Sequence, residues 1–145
     1  MTPITLSTAL IRIAVSFVLG AAIGAERQYH KHPAGFRTFT LITLGASLAM
    51  ILSIYVCQSN MDLHNGDPGR IAAQVLTGIG FIGAGLIIKG HDGVSGLTTA
   101  ACIFVSAVIG LAAGAGMLIL AAIVTAIAVI VLISPFIFKH PDDKQ

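Results

Sequence analysis

Few side chains in this sequence are equipped for chemistry, and they fall into two groups. Glu26, Arg27, Arg37, Thr38, Thr98 and Thr99 border apolar runs. An acid beside guanidinium groups at the edge of an apolar region can hold a proton, meet a cation or close a structural ion pair. The second group is Arg12, Asp67, Arg70 and Gln74. Arg12 lies within an apolar run, where a charge costs at least ~2.5–3.5 kcal/mol on insertion scales. Its two solutions are a partner such as Asp67, or a one-turn shift of the run that brings it to the interface. Asp67 and Pro68 read as a helix start, the Asp as N-cap and the Pro at the first helical position. Gln74 follows Arg70 by one turn and enters an apolar run, so its amide requires an interhelical hydrogen bond or a polar cavity.

No Cys/His pair stands in register and no two carboxylates are paired, so the residues do not describe an enzyme. Cys57 and Cys102 fall in different apolar runs, and neither a disulfide nor a metal site is expected from them. His30 and His32 flank Lys31 in a loop and read as solvated histidines. Gly78, Gly80, Gly83 and Gly85 have the spacing of a nucleotide-binding loop, but they sit inside the apolar run from Ile71 to Ile88. Such a loop needs a preceding strand, a helix opening at the glycines and water around the phosphate. Small residues that let neighbouring helices approach closely are the better reading. No cofactor is implied.

The elements that must position these residues follow from composition. The 145 residues are 56% hydrophobic and 10% charged, against the roughly 25% charge of a soluble domain. Several apolar runs approach the ~20 residues needed to cross a hydrocarbon core. Without period-2 alternation they are helices, because backbone polar groups in lipid must be paired within the segment. The expected fold is all-α, a polytopic helical membrane protein with about five transmembrane helices. The spans are Ile4 to Ala25, Phe36 to Cys57, Ile71 to Ile88, Val94 to Gly114 and Gly116 to Phe138. The first is not a signal peptide, since no basic region precedes it.

Arg27, Lys31, Arg37, Lys89, Lys139 and Lys144 fall on one side of these spans, and Arg70 on the other. The positive-inside rule then places the N-terminus outside and the C-terminus in the cytoplasm. Residues 1–139 form the transmembrane domain and 140–145 a short polar cytoplasmic tail. The last two spans should form a tight hairpin around Gly114 to Gly116, and the last should face lipid. Arg12, Ser16, Gly20 and Gly24 form one small-residue stripe, and Thr98, Cys102, Ser106, Gly110 and Gly114 another. The third span, with small atoms on more than one side, is expected to be the central helix.

Five ordered blocks carry a family likeness: GAAIGAERQ (Gly20 to Gln28), AGFRT (Ala34 to Thr38), DPGRIAAQVLTGIGFIGAG (Asp67 to Gly85), GLTTAA (Gly96 to Ala101) and SAVIGLAAG (Ser106 to Gly114). Together they resemble the membrane domain of the MgtC/SapB family. The resemblance implies a multi-pass protein of the bacterial inner membrane. It also implies a non-enzymatic accessory or regulatory role in growth at low magnesium, under acid stress or inside host cells. Glu26, Arg27, Arg37, Asp67, Arg70, Gln74, Thr98 and Thr99 fall on its polar positions. Two departures stand out: many members continue into a cytoplasmic soluble domain, and Ser95 occupies a position that is commonly basic.

The expected partners are the lipid bilayer and other membrane proteins or further copies of this chain, not nucleic acid. The alternative is an ion transporter or channel with a path along the Gly-rich third span. Mg²⁺ favours six oxygen ligands in near-ideal octahedral geometry, and Glu26 is the one carboxylate adjoining a span on the cytoplasmic side.

Overall fold

Five helices form where the apolar runs lie: α1 (Leu6–Tyr29), α2 (Phe36–Ser59), α3 (Gly69–Ala84), α4 (Leu97–Gly114) and α5 (Leu118–Ile137). The computed structural model describes residues 4–59, 66–91 and 93–137, with residues 59 and 135–137 described by backbone alone. The polar tail at 140–145 lies outside the described residues. Helices α1, α2 and α4 are long and apolar enough to cross a membrane, and α3 and Leu118–Ser134 are shorter apolar helices. The chain is an all-α, polytopic membrane fold.

Three boundaries depart from expectation, one of them the start of the fourth span, which moves from Val94 to Leu97. Helix α1 continues past Ala25 to Tyr29, which brings Glu26 and Arg27 into its last turns. Helix α3 stops at Ala84 instead of running to Ile88. Ile88–Gly90 (β1) and Gly93–Ser95 (β2) pair as a small antiparallel hairpin, with Lys89 opposite Val94. A short apolar run such as Leu86 to Ile88 does not separate helix from strand by periodicity. The hairpin signal is the polar two-residue connection with Gly93 behind it, and Gly93 has φ 130°. Gly96 then opens α4 at φ 86°, where a side chain would run into the Leu86 carbonyl.

The exterior of the bundle is apolar, with Leu10, Val18, Leu41, Ile119 and Ile130 all exposed. Its interior includes Ser16, Thr43, Ser47, Ser53 and Ser106, each fully or almost fully buried beside Phe39, Ile23, Ile103 and Ile109. In lipid, apolar side chains gain little by facing inward, and close contact between small residues holds helices together. Several hydroxyls bond along their own helix, as Ser16 Oγ does to the Arg12 carbonyl at 2.8 Å and Thr43 Oγ1 to the Phe39 carbonyl at 2.8 Å.

Small residues also decide which helix is central, and it is α4, not the third span. Helix α4 packs against α1, α2, α3 and α5. A Cβ on Gly110 would collide with the Thr43 carbonyl of α2, and one on Gly114 with the Ser47 carbonyl. Gly20 of α1 meets α2 in the same way, with Thr43 Oγ1 2.6 Å from where its Cβ would be. In α3 the inward residues are Ala72, Val75, Leu76, Ile79 and Gly83. Gly78 and Gly80 point away, with nothing within 4 Å of a Cβ at either. The glycines of α3 therefore do not make it the centre of the single chain.

At the opposite end from Glu26, the α4–α5 turn is a tight hairpin, as expected. Met117 N–H donates to the Ala112 carbonyl at 2.9 Å and Gly116 N–H to the Ala113 carbonyl at 3.0 Å. This is a Schellman cap with its glycine at φ 93°. Arg12 completes it, because its Nη1 donates to the Gly114 carbonyl at 2.7 Å. Its guanidinium lies where a Cβ on Gly116 would sit, with Nη2 2.8 Å from that point. A cation at a helix C-terminus also opposes the negative end of the macrodipole. Arg12 is thus satisfied by a backbone carbonyl, not by Asp67 or by a position at the interface alone. Asp67 instead accepts from the Gly69 N–H at 2.8 Å, standing one residue ahead of the N-cap, which is Pro68 and not the Asp67 expected.

Gly110→Ala should destabilise the purified protein by about 1–3 kcal/mol, since α2 must move to admit the methyl group. Gly45→Ala, at a glycine with open space around it, should be neutral or stabilising by up to about 1 kcal/mol. Thermal unfolding of both variants in one detergent checks the contrast. Arg12→Met should cost about 1.5–3 kcal/mol in the same assay, the range for a hydrogen bond to a charged group.

Candidate functional site

The site at the end of α1 is built by a close approach of two backbones. Gly24 lies against Phe36, whose Cα is 2.7 Å from where a Cβ would be. The Phe36 N–H donates to Gln28 Oε1 at 3.3 Å. Between them the chain reverses over Lys31, at φ 57°, with His32 N–H donating to the Arg27 carbonyl at 3.0 Å. This turn covers the end of α1 and encloses its charges. Glu26 is 9% exposed and Arg27 3% exposed.

Within this enclosure, Glu26 Oε1 is 2.9 Å from His30 Nδ1, and Glu26 Oε2 is 3.8 Å from Arg27 Nη1. His30 Nδ1 also lies 3.1 Å from the Glu26 carbonyl, and the His30 ring meets Tyr29 edge-on at 5.1 Å. The contact with the carbonyl is a hydrogen bond, whereas the carboxylate is met by Arg27 and the His30 ring at ion-pair distance. Neither Glu26 oxygen has a partner in hydrogen-bond geometry, nor does Arg27 Nε or the buried Thr40 hydroxyl. Buried polar atoms are nearly always bonded, so such a carboxylate has room for a water or a cation. Outside the helices, His32 is held below the usual imidazole range, first by burial and then by Arg27; Glu26 raises it and His30 lowers it.

Of the residues expected in this cluster, Glu26, Arg27 and Thr99 are buried, and Thr38 is partly so. Arg37 and Thr98 are exposed, and neither forms an ion pair or hydrogen bond with Glu26. Thr98 instead lines an apolar cavity of about 340 Å³ between α1, α4 and α5, with Ile23, Cys102, Val105, Val124 and Leu132. His30, read from sequence as a solvated loop residue, belongs to the site. The signal was its i, i+4 spacing from Glu26, which carries meaning only if α1 extends past Ala25.

The other polar group divides. Arg12 is used at the α4–α5 turn and Asp67 on the Gly69 N–H, as described, while Arg70 and Gln74 are exposed on the outer face of α3. Gly83 is buried near Ala100, and Gly78, Gly80 and Gly85 are exposed. The described carboxylates, Glu26 and Asp67, lie at opposite ends of the bundle. Among the described residues no three His, Cys, Asp or Glu side chains converge on one point.

The family model of the MgtC family matches residues 13–138. The "Putative magnesium transporter YhiD" of Escherichia coli (strain K12) is 49% identical over 110 residues, covering 74% of this chain and 51% of the relative. The protein named MgtC from Brucella suis biovar 1 is 43% identical over 129 residues, covering 86% of this chain and 51% of the relative. A protein of Haemophilus influenzae is 42% identical over 139 residues, covering 92% of this chain and 58% of the relative. The chain spans about half the length of the curated relatives it matches. No solved structure matches it significantly. With the match running from α1 through α5, the chain belongs to the MgtC family.

Proposed function

We propose that this chain is a non-enzymatic accessory protein of the bacterial inner membrane. It crosses the membrane several times, with its N-terminus outside and its C-terminus in the cytoplasm, and acts by packing against other membrane proteins or itself. Its context is adaptation to low magnesium, acid or intracellular stress. The observation that carries this reading is the outer face of α3, where Arg70 and Gln74 are exposed and two glycines have open space around them among the described residues. Polar groups on a lipid-facing helix surface are costly unless another helix covers them.

One observation favours a second reading, ion transport, in line with the printed name of the Escherichia coli relative. Glu26 is a buried carboxylate without a hydrogen-bond partner among the described residues, as a coordinating group would be. Two features weigh against a magnesium path through one chain. Arg27 lies beside the carboxylate, and Asp67, the other described carboxylate, accepts from the Gly69 N–H at the opposite end of the bundle, whereas the ion prefers a full shell of oxygens.

Purified protein in liposomes holding a Mg²⁺-sensitive dye separates the two readings. The accessory reading expects no flux above empty liposomes from folded protein, and no difference on Glu26→Gln. Flux that Glu26→Gln abolishes would make this a transporter with Glu26 on its path. In cells, the chain should restore growth at low magnesium to a strain lacking its own copy. Glu26→Gln should retain most of that support if the carboxylate is structural.

A further inference from the structure

The uncovered surface of α3 has an internal order. Asp67, Arg70, Gln74, Gly78, Phe81 and Gly85 recur at spacings of three and four residues, and all six are exposed. They form one stripe along the helix, opposite the inward Ala72, Val75, Leu76 and Ile79. The stripe is not lipid-like, since it begins with an acid, a base and an amide. The Gln74 amide, with two donors and an acceptor oxygen, has no partner among the described residues, and neither does the Arg70 guanidinium. Gly78, one turn on, is open to 4 Å and beyond.

We infer that α3 pairs through this stripe with α3 of a second copy of the same chain. The inference rests on the packing role proposed above and names its partner. Three features point to a copy instead of a different protein. First, two chains inserted with the same topology place equivalent residues at the same depth, so a two-fold axis along the membrane normal brings Gln74 to Gln74. A primary amide is its own complement, donating and accepting at once. Second, Asp67 and Arg70 stand one turn apart on the stripe. Across the same axis the acid of each chain faces the base of the other. Asp67 uses one oxygen, Oδ1, on the Gly69 N–H, leaving Oδ2 for this contact.

Third, α3 is short. Its 16 residues span about 24 Å, against a hydrocarbon core of about 30 Å. A span shorter than the bilayer is relieved by association, which removes its surface from lipid. Gly78 and Gly85 permit the backbones to approach, and Phe81, 83% exposed in the single chain, fills the space between them. The spacing of three and four is that of a left-handed pair of helices.

The test uses the full chain in native membranes, with Cys57→Ser and Cys102→Ala removing the native thiols. Single cysteines at Gln74, Gly78 and Ile79 are then oxidised. Disulfide-linked dimers are expected at Gln74 and Gly78, and not at the inward Ile79. Independently, two differently tagged wild-type copies should co-isolate in native-lipid nanodiscs. Gly78→Leu, on a face where leucine meets only open space in the single chain, should lower that recovery by about fivefold or more. Gln74→Leu should lower it as well. Monomers at all three cysteine positions, or co-isolation unchanged by Gly78→Leu, would overturn the pairing. In the first case, low-magnesium growth separates the two claims. Growth support lost on Gly78→Leu would keep the accessory role with a different partner. Growth unchanged by Gly78→Leu would remove both.

Discussion

The bundle depends on the contact between the backbones of α4 and α2. At Gly110 and Gly114 the α4 backbone lies so near the Thr43 and Ser47 carbonyls that no side chain fits. Such contact supplies the dispersion that the hydrophobic effect cannot supply between helices in lipid. The rest follows from it. With α2 held against α4, α1 seats Gly20 on Thr43 and Gly24 on Phe36, and its far end closes over Glu26 and Arg27. With α4 held, its C-terminus presents the Gly114 carbonyl to Arg12. Both ends of the bundle are therefore positioned by one close-packed seam.

Most of this organisation was legible from composition and small-residue spacing. The stripe from Gly20 to Gly24 and the stripe from Ser106 to Gly114 are packing faces, and the hairpin at Gly116 is where the glycines predicted it. What escaped was which helix those faces surround. In α3 the same residue type serves two purposes that a sequence does not separate: Gly83 packs inside the chain, whereas Gly78 and Gly80 look outward. A glycine records that something must come close, not whether it belongs to the same chain. Arg12 escaped for a related reason, because its partner is a backbone carbonyl 102 residues away, and carbonyls have no signature in sequence.

The candidate site was half legible. Glu26 and Arg27 stand out as charges next to an apolar run, but ending α1 at Ala25 put His30 in a loop and hid its register with Glu26. Arg37 and Thr98 have the right residue types at the right level of the membrane, yet the packing of α1 on α2 and α4 leaves them outside the enclosure. Burial depends on tertiary contacts that residue type does not encode. The small strands around Lys89 were missed because Ile87, Ile88 and Val94 suit a helix end or a strand equally well.

Two regions remain chemically unfinished among the described residues: a buried carboxylate without a hydrogen bond at one end, and a polar helix face without cover. The second is the one on which the packing role stands, since a face covered by protein in the membrane is a face used for association. A spin label at Thr77, on the exposed side of α3, compared with one at Ile130 on the exposed side of α5, measures this directly in native membranes through the access of a lipid-soluble relaxing agent. Packing predicts that Thr77 is shielded while Ile130 is fully accessible. Equal accessibility at the two positions would contradict it.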